Sequence, residues 1–355
     1  MKPKLPVRRA ILNRKTYEAP AEGRQNKMRL DFNENTAGCS PVVKRALAKL
    51  TTQYLAMYPE YEVPTRRLAK YFGVGAEELL LTNGGDDALR VFFDTFVEPG
   101  SSVLICEPTF PMYRYYAEIS GARIHALRYE EAMEFPVDKA VAALRRKPRV
   151  LFIANPNNPT GTLLGYRDLE KIVRASTDTA VVIDEAYAEF SGLTVVHWLR
   201  KYPHLFVTRT FSKAAGLAGL RLGAVLAAQE SLAMLRRAMP PFPVNVAALV
   251  AAEAAIRDVR TLKTYVRNVT RLRQRFESEL LEIGATSYPS AGNFVLADFG
   301  TRGPALFKQL EAKGILVRER KDFRPGFARI TIGTEREMKR VVREIKLFWR
   351  NNNGA

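Results

Sequence analysis

The chain has 355 residues, of which 47% are hydrophobic and 26% are charged, as in an ordinary globular protein with more than one structural unit. It contains two cysteines and three histidines without metal-ligand spacing, so we expect neither a disulfide framework nor a metal site. No apolar segment reaches the length that a membrane span requires, and the N-terminal residues lack the apolar core of a secretory signal. These features predict a reduced protein of the cytoplasm.

The net charge of +18 raises the question of a nucleic-acid partner. Arg260, Lys263, Arg267 and Arg271 recur at helical spacing, which places them on one face of a helix. An apolar stripe runs along the same helix: Leu262, Val266, Val269, Leu272 and Phe276. This pattern is typical of an amphipathic helix with a solvated basic side, and no zinc-finger spacing or RNP-like aromatic run accompanies it. We therefore expect no nucleic-acid partner, and a charge that favours solubility and anionic small molecules.

From residue 78 onward, short apolar runs alternate with amphipathic stretches. The runs predicted as buried strands are 78–83, 101–108, 149–156, 179–187, 204–212 and 223–228. The stretches predicted as helices are 84–97, 166–176 and 230–239. Apolar strands separated by helices predict a three-layer α/β/α fold with a mostly parallel sheet. Ligands of such sheets bind beyond the carboxyl ends of the strands, which is where the polar motifs of this chain fall.

A second group of short elements follows a long helical stretch at 244–283. Its segments are 292–299, 305–314, 315–320 and 327–333, followed by a closing basic helix. The group predicts a smaller α+β domain that is completed by the N-terminal segment. The predicted division is a large domain at 41–275 and a small domain of residues 1–40 with 276–355.

Two motifs follow the first two predicted strands. LTNGGDDAL (81–89) places two glycines before a helix whose free amides favour a phosphate, although Asp86 and Asp87 also suit a helix N-terminus as carboxylates. EPTFPMY (107–113) presents Phe110 and Tyr113, which are suited to core packing or to lying over a flat cofactor.

Two further motifs follow the next strands. NPNNPTG (155–161) holds Asn158 in a proline-braced loop, where its amide is a donor in a fixed place. VVIDEAYAEF (181–190) puts Asp184 at the end of a β-branched run, with Tyr187 as a phenol donor nearby. A buried carboxylate needs a cationic partner, either an arginine or a ring nitrogen that must stay protonated.

The stretch TRTFSKAAGLAGLRLG (208–223) sets Lys213 among small residues. Desolvation and a neighbouring cation lower the pKa of an amine, which is what Schiff-base chemistry requires. Thr210, Ser212 and Arg221 are suited to a phosphate. The alternative is a surface lysine in a flexible loop.

Taken together, the five motifs supply the groups that pyridoxal 5′-phosphate needs: phosphate donors, an aromatic platform, a partner for the ring nitrogen and an amine.

With these motifs the sequence resembles the fold-type I pyridoxal-phosphate aminotransferases, specifically the histidinol-phosphate aminotransferase-like branch. The resemblance covers almost the whole chain and preserves motif order and spacing. It includes DFNEN (31–35), YPEYEVPTRRLAKYFGV (58–74), GGDDAL, PTFPMY, NPNNPTG, DEAYAEF, FSKAAGLAGLRLG and ARITIGTEREM (328–338).

The resemblance implies a role for each polar group around the cofactor ring. Lys213 forms the internal aldimine and then moves the proton between Cα and C4′. Asp184 pairs with the pyridinium nitrogen, and Asn158 and Tyr187 bind the phenolic oxygen. Phe110 stacks on the ring, where many relatives have Tyr or Trp.

The resemblance also implies a phosphate site and a dimer. The phosphate ligands are the amides of Gly85 and Asp86 together with Thr210, Ser212 and Arg221. Tyr58 resembles the tyrosine that reaches the neighbouring subunit's phosphate, which implies a homodimer.

For the substrate, Arg329 matches the arginine that binds the anionic group, and Asn33 and Arg318 are the other predicted substrate ligands. The chain departs from the family in NENTAGCSP (33–41), where Thr36, Ala37 and Cys39 replace the usual residues. That loop borders the substrate pocket. The run ILVRERKDFRPGFAR also contains Arg320 and Arg324, and it does not choose between a phosphate and a carboxylate.

We therefore predict a transaminase of amino-acid biosynthesis, with histidinol phosphate (histidine biosynthesis) and 2-oxoglutarate as the favoured substrates. The alternatives are aromatic or other amino-acid donors, and decarboxylation at Cα as in threonine-phosphate decarboxylase-like relatives. A cofactor-bearing regulator that binds nucleic acid is a third alternative, for which the N-terminal 40 residues offer no winged-helix domain.

Overall fold

The computed structural model describes residues 5–12, 14, 16 and 22–352. The helices are α1 (Arg9–Leu12), α2 (Pro41–Leu47), α3 (Thr52–Ala56), α4 (Glu62–Phe72), α5 (Gly85–Phe96), α6 (Pro111–Ile119), α7 (Val137–Leu144), α8 (Tyr166–Arg174), α9 (Ala188–Ser191), α10 (Gln229–Arg237), α11 (Val246–Arg257), α12 (Val259–Glu282), α13 (Gly303–Ala312) and α14 (Glu335–Asn351). The strands are β1 (Met28–Leu30), β2 (Leu79–Thr82), β3 (Ser102–Glu107), β4 (Arg123–Arg128), β5 (Val150–Ala154), β6 (Ala180–Asp184), β7 (Leu205–Thr210), β8 (Gly223–Ala227), β9 (Thr286–Tyr288), β10 (Phe294–Asp298), β11 (Ile315–Glu319) and β12 (Phe327–Thr331).

The larger sheet has seven strands in the order β2-β8-β7-β6-β5-β3-β4. The pairs from β7 through β4 are parallel, and β8 is antiparallel to both of its neighbours. Because β8 is reversed, β2 again runs in the direction of β7. The carboxyl ends of all the other strands and the start of β8 therefore lie at one edge. This mostly parallel sheet confirms the predicted α/β fold.

Helices cover both faces of this sheet, which explains why its strands other than the edge strand β4 are largely apolar. Alternate residues of each strand enter two different cores: Leu151 and Ile153 of β5 face one, whereas Val150 and Phe152 face the other. The first core includes residues of α2, α4, α7, α8 and α11, and the second includes residues of α5, α6 and α10. Because both faces of the sheet are buried, its strands do not alternate between apolar and polar residues, as the strands of a sheet with one solvent-exposed face do.

The smaller sheet has five strands in the order β1-β11-β12-β10-β9. Its first strand comes from the N-terminal segment and pairs in parallel with β11, with Met28 opposite Ile315. Its core contains residues of α12, α13 and α14. The α12 helix runs without interruption through residue 275, where the sequence predicts the domain boundary. The division into two domains therefore stays a prediction, which the pairing of β1 with β11 supports.

Several elements differ from the sequence prediction, which did not include the helices α2, α4, α6 and α7 or the short strand β9. The edge strand β4 was not predicted, because its residues are exposed or only half-buried and form no apolar run. The long helical stretch is two helices, since Asp258 ends α11 and its side chain accepts a hydrogen bond from the Thr261 amide at the start of α12. The basic face predicted for α12 is exposed while Val269, Leu272 and Phe276 are buried, so the amphipathic interpretation is confirmed.

None of the helices within the described part of the chain is long and apolar enough to cross a membrane.

Gly223 lies where three elements meet, because it pairs with Thr82 of β2 and Thr210 of β7 at the start of β8. A Cβ at this position would lie 2.6 Å from the carbonyl carbon of Gly84, which is backbone and cannot move aside. We expect Gly223→Ala to lower the free energy of unfolding by about 1–3 kcal/mol, measured by chemical denaturation. Gly165→Ala is the control, since a Cβ there meets no atom within 4 Å. Equal effects of the two substitutions would contradict the prediction.

Candidate active site

A cavity of about 450 Å³ lies at the carboxyl-end edge of the larger sheet and is closed on its other side by arginines of the smaller sheet. It is lined by almost every residue singled out from the sequence: Gly85, Asp86, Phe110, Asn158, Asp184, Tyr187, Thr210, Ser212, Lys213, Arg221, Arg318 and Arg329. The structure thus brings together motifs that are spread over more than 240 residues of sequence. The motifs of the larger sheet converge because they follow strand ends, or precede the reversed strand β8, at the same edge. Arg318 and Arg329 come from β11 and β12 of the smaller sheet.

Lys213 is half-buried, and its amine lies in this cavity. Its Nζ donates a hydrogen bond to the main-chain oxygen of Phe32 at 3.0 Å and lies 5.9 Å from the ring centroid of Tyr187. Burial, and then the positive charge of Arg329, lower the pKa of the Lys213 amine to about 8. The loop that carries Lys213 is therefore not a flexible surface loop, and its amine is neutral in about a tenth of the molecules at pH 7.

Asp184 ends β6 as a half-buried carboxylate at the base of the cavity, and no cation of the described residues pairs with it. Its Oδ2 accepts from the hydroxyl of Tyr113 at 2.7 Å, and its Oδ1 accepts from Thr208 at 2.9 Å and from the amide of Ala186 at 3.2 Å. Among the described residues no lysine or arginine forms an ion pair with it, so the arginine partner considered from the sequence is not found. Burial raises the pKa of Asp184, and these hydrogen bonds oppose that rise.

At one end of the cavity, small and polar groups surround the start of α5. Arg221 adopts a left-handed backbone with φ of 55° and donates to Asp86 at 3.2 Å. Thr210 donates to the hydroxyl of Ser212 at 3.0 Å, which holds two hydroxyls side by side. A Cβ at Gly84 would lie 2.6 Å from the guanidinium of Arg221, so only glycine allows this approach. The arrangement presents helix amides, hydroxyls and a guanidinium to one region, which suits a phosphate.

The two aromatic residues of EPTFPMY have different environments. Phe110 lines the cavity and is only half-buried, whereas Tyr113 is fully buried. The two rings meet edge to face with centroids 5.7 Å apart, and the Tyr113 ring stacks on Phe152 at 5.0 Å. Phe110 is therefore the ring that faces the cavity, and Tyr113 is the ring whose hydroxyl donates to Asp184.

Asn33, Asn158, Tyr187 and Arg329 form a polar network on the side of the cavity nearest the smaller sheet. Arg329 donates through Nη1 to Oδ1 of Asn158 and through Nη2 to the main-chain oxygen of Asp31, both at 2.5 Å. Asn33 donates to the hydroxyl of Tyr187 at 2.8 Å. These bonds occupy the oxygen of Asn158 and one acceptor position of Tyr187. The amide nitrogen of Asn158 and the proton of Tyr187 are then the donors suited to a ligand oxygen.

The segment 31–36 connects the two sheets and the loop of Lys213. Asn33 has a left-handed φ of 56°, and its main-chain amide donates to Thr331 of β12. Asn35 donates to the main-chain oxygen of Ala214 at 3.1 Å. Thr36, one of the departures from the family pattern, donates to Glu337 at 2.5 Å at the start of α14. The loop that departs from the family pattern is therefore hydrogen-bonded to α14, which packs in the core of the smaller sheet.

Tyr58 does not line this cavity. Its side chain is 77% exposed and stacks on Phe242 with ring centroids 4.5 Å apart. Its predicted contact with a neighbouring subunit stays a prediction, for which its exposure is a requirement.

Several residues of the site were not singled out from the sequence. The main-chain oxygen of Phe32 has no side-chain signal, and Thr208 is an ordinary strand residue. Arg209 also lines the cavity, and its guanidinium lies 3.5 Å from both Glu185 and Glu189. The sequence signal that could have identified Arg209 is its position between Thr208 and Thr210 at the end of an apolar strand.

The fold and this cavity are those of the aminotransferases of class I and II, and the chain belongs to that family, whose model matches residues 25–345. Among its relatives, the histidinol-phosphate aminotransferase of Geobacillus sp. (strain WCH70) is 34% identical over 323 residues, covering 89% of this chain and 88% of the relative. That of Dehalococcoides mccartyi (strain CBDB1) is 36% identical over 298 residues, covering 82% and 81%. The solved structure of histidinol-phosphate aminotransferase from Sinorhizobium meliloti, in complex with pyridoxal-5′-phosphate, matches with a TM-score of 0.85 and 26% identity over 91% of each chain.

The predictions of an aminotransferase and of pyridoxal 5′-phosphate as its cofactor are confirmed by this membership. The residues present fit that cofactor. The strongest observation is Asp184, because a desolvated carboxylate without a protein cation is suited to a protonated ring nitrogen. The cluster of amides, hydroxyls and Arg221 lies in the same cavity, as the cofactor's phosphate requires.

The lowered pKa of Lys213 predicts how the cofactor-free protein reacts. A pKa of about 8 means that the amine becomes neutral, and therefore nucleophilic, as the pH rises through 8 rather than through 10.5. The rate of cofactor reloading, followed by visible absorbance, should rise between pH 6 and 9 with a midpoint near 8. Arg329→Gln removes a positive neighbour and should move the midpoint to higher pH. A wild-type midpoint at 10 or above would contradict the prediction.

The hydrogen bond from Tyr113 to Asp184 predicts a defined defect in Tyr113→Phe. The ring still packs on Phe152, but the carboxylate loses a donor that lowers its pKa, so the pKa of Asp184 rises further. We expect kcat to fall about tenfold, the size of one charge-assisted hydrogen bond, and the pH dependence of the visible band to shift. Tyr116→Phe is the control, since it removes a phenol from the same helix that stacks on Phe93 rather than bonding to Asp184. An unchanged visible spectrum in Tyr113→Phe would be the contrary result.

Proposed function

We propose that the protein transfers an amino group from histidinol phosphate to 2-oxoglutarate, with Lys213 as the residue that bonds covalently to the cofactor. The observation that carries the proposal is the desolvated amine of Lys213, whose pKa is lowered, in one cavity with the carboxylate of Asp184, which has no ion-pair partner among the described residues. The relatives named histidinol-phosphate aminotransferase support the choice of donor.

When bound, the cofactor supplies an electron sink that makes the Cα–H bond of an attached amino substrate acidic. Lys213 is placed to take that proton and to return it, because a neutral amine is a competent general base. Its hydrogen bond to Phe32 orients Nζ within the cavity. Asp184, held by Tyr113 and Thr208, keeps a negative charge at the base of the cavity.

The remaining cavity residues bind and orient. Phe110 forms a flat wall, and Asn158 and Tyr187 donate hydrogen bonds to an oxygen on the ring. Gly85, Asp86, Thr210, Ser212 and Arg221 bind the cofactor's phosphate through amides, hydroxyls and one guanidinium. These assignments are supported by the convergence of all of these side chains on one cavity.

At the substrate end, Arg329 binds the anionic group of the amino or keto acid, together with Asn33 and Arg318. Arg329 lies on β12 of the smaller sheet, so movement of the proposed small domain (1–40 with 276–355) against the large domain (41–275) would close the site. Tyr58, exposed on its own chain, completes the phosphate site of a second copy in a homodimer. We place this reaction in the cytoplasm.

The role of Lys213 is tested by reduction with borohydride. The wild-type holoenzyme should retain the cofactor covalently on the peptide that contains Lys213, and its visible band should disappear. Lys213→Ala should show no covalent label and at least a 10³-fold lower turnover, since the nucleophile and the proton carrier are the same group. Lys44→Ala, a change at an exposed lysine, is the control. Normal turnover by Lys213→Ala would overturn the assignment.

The reaction and its donor are tested with a panel of amino compounds, each with and without 2-oxoglutarate. Histidinol phosphate should be consumed only in stoichiometric exchange for glutamate. Release of carbon dioxide without a keto acid would indicate the decarboxylase alternative instead. A higher kcat/KM with an aromatic amino acid would move the donor to that class.

A further inference from the structure

The α12 helix carries a buried guanidinium, that of Arg273, which lies outside the active-site cavity. Its side chain is 8% exposed, and its one hydrogen bond among the described residues runs from Nη1 to the main-chain oxygen of Gly292 at 2.6 Å. Its Nε is buried without a partner in the described part of the chain. A buried charge destabilises a fold more than a well-packed apolar side chain of similar volume. The bond to Gly292 is therefore the feature that explains an arginine at this position.

Gly292 belongs to the turn between β9 and β10 of the smaller sheet, residues 290–292. Glu277, one helical turn beyond Arg273, is half-buried and accepts a hydrogen bond from the main chain of Ser290. Within the turn, Oγ of Ser290 accepts from the amide of Gly292 at 3.1 Å. Residues four apart lie on one face of a helix, so a single face of α12 binds both ends of the β9–β10 turn.

The β9–β10 turn also contacts the loop 155–161, which carries Asn158 and follows β5 of the larger sheet. The amide of Ala291 donates to the main-chain oxygen of Gly161 at 2.9 Å. Gly161 has a left-handed φ of 79°, and a Cβ there would lie 2.6 Å from Cα of Ser290. Only glycine allows the two main chains to lie this close. Because the contact joins main-chain atoms, a side-chain rotation does not release it.

The same turn leaves room for the ring that packs on Tyr187. A Cβ at Gly292 would lie 2.6 Å from the ring of Phe294, the first residue of β10. That ring meets the ring of Tyr187 edge to face, with centroids 5.0 Å apart. Asn158 and Tyr187 are the two residues that we propose as donors to the oxygen on the cofactor ring. The turn therefore contacts the loop of one donor and the ring that packs against the other.

Two other contacts position the loop 155–161. Asn157 accepts from the hydroxyl of Thr109 at 2.7 Å, which joins the loop to the segment that follows β3. Arg329 of the smaller sheet donates to Asn158, but this guanidinium is also suited to an anionic substrate. When a substrate engages Arg329, the main-chain contact of the β9–β10 turn is a link that remains between the smaller sheet and the loop.

We propose that Arg273 is a positioning residue. By binding the main-chain oxygen of Gly292 it keeps the β9–β10 turn against the loop 155–161, and so positions Asn158 for its contact with the cofactor ring. Glu277 binds the same turn and offsets the charge of Arg273. The inference rests on the proposed function, in which Asn158 donates to the ring oxygen. It assigns a function in the active site to a helix that does not line the cavity.

The first experiment compares Arg273→Met with Arg275→Met in the holoenzyme. Methionine keeps an unbranched side chain in the buried site but has no donor for Gly292, and an apolar replacement of a buried charge is often neutral for stability. Arg275 is exposed on the same helix and pairs with Glu279. A donor that moves away from the ring oxygen raises the pKa of that oxygen. We therefore expect the pH midpoint of the visible band to rise by about 0.5–1 pH unit in Arg273→Met and to stay unchanged in Arg275→Met.

The visible band separates positioning from a purely structural role. If Arg273 only stabilises the fold, Arg273→Met lowers the free energy of unfolding and leaves the midpoint of the band where it is in the wild type. That result would overturn the proposal. An equal shift of the midpoint in Arg275→Met would overturn it as well, because that side chain does not contact the turn.

The second experiment measures amide hydrogen exchange in the cofactor-free protein, so its result does not depend on the contact of Asn158 with the cofactor. In Arg273→Met the turn loses its bond to α12, and peptides that cover the loop 155–161 should exchange at least about threefold faster than in the wild type. Arg275→Met should exchange at the wild-type rate. Wild-type exchange of the loop in Arg273→Met would contradict the coupling.

Gly161→Ala tests the same contact from the side of the loop and leaves α12 unchanged. The added Cβ displaces the main chain of Ser290, so peptides that cover the turn 290–292 should exchange at least about threefold faster. Gly165→Ala is the control, since a Cβ there meets no atom within 4 Å and φ is −76°. Equal exchange of the turn in these two variants would show that the loop and the turn are not coupled, and the inference would fail.

This inference and the proposed function fail differently. If Asn158→Ala leaves the midpoint of the visible band unchanged, the proposed contact of Asn158 with the cofactor ring is wrong, and hydrogen exchange still decides whether Arg273 positions the loop. If Asn158→Ala shifts the midpoint while Arg273→Met changes neither the midpoint nor the exchange, the proposed function stands and this inference fails.

Discussion

The carboxylate of Asp184 is desolvated at the end of a central strand, and no cation of the described residues pairs with it, so much of the surrounding structure offsets the cost of desolvation. Tyr113, Thr208 and the amide of Ala186 supply three hydrogen bonds, and each comes from a different element or turn. Desolvating a carboxylate destabilises the folded protein unless a positive group pairs with it, so this site is suited to a cofactor that carries a positive charge. The rigid stacking of Tyr113 on Phe152 is part of the same arrangement.

The amine of Lys213 presents the complementary problem, because a buried ammonium is also costly. Burial and the positive charge of Arg329 both favour the neutral form of the Lys213 amine, and so lower its pKa. Arg329 thereby has two effects on one site: its guanidinium suits an anionic group and its charge lowers the pKa of the amine. The substrate end and the chemical end of the cavity are consequently linked by electrostatics across the boundary between the two sheets.

Much of this site was predictable because strand ends are visible in sequence. Asp184, Asn158 and Lys213 each follow an apolar run, and parallel strands bring such positions to one edge. The main-chain oxygen of Phe32 and the hydroxyl of Tyr113 were not assignable, since the first has no side-chain signature and the second depends on which of two rings turns inward. The strand β4 was missed because a half-buried edge strand has no continuous apolar run. Arg320 and Arg324 look alike in sequence, and only the pairing with β12 separates the one that faces the cavity from the one that does not.

The hydrogen bonds of Arg329 to Asn158 and Asp31 have a consequence for ligand affinity. Both bonds join the smaller sheet to loops of the cavity, and both use donors that an anionic substrate also needs. A substrate that binds Arg329 therefore replaces internal hydrogen bonds of the protein with its own. Its observed binding free energy is the difference between the free energies of the two sets of bonds. Selectivity at such a site depends on the acceptor that replaces the internal bonds. An anionic group that accepts two charge-assisted hydrogen bonds from the guanidinium recovers the lost bonds, whereas a weaker acceptor leaves Arg329 bonded to Asn158 and Asp31.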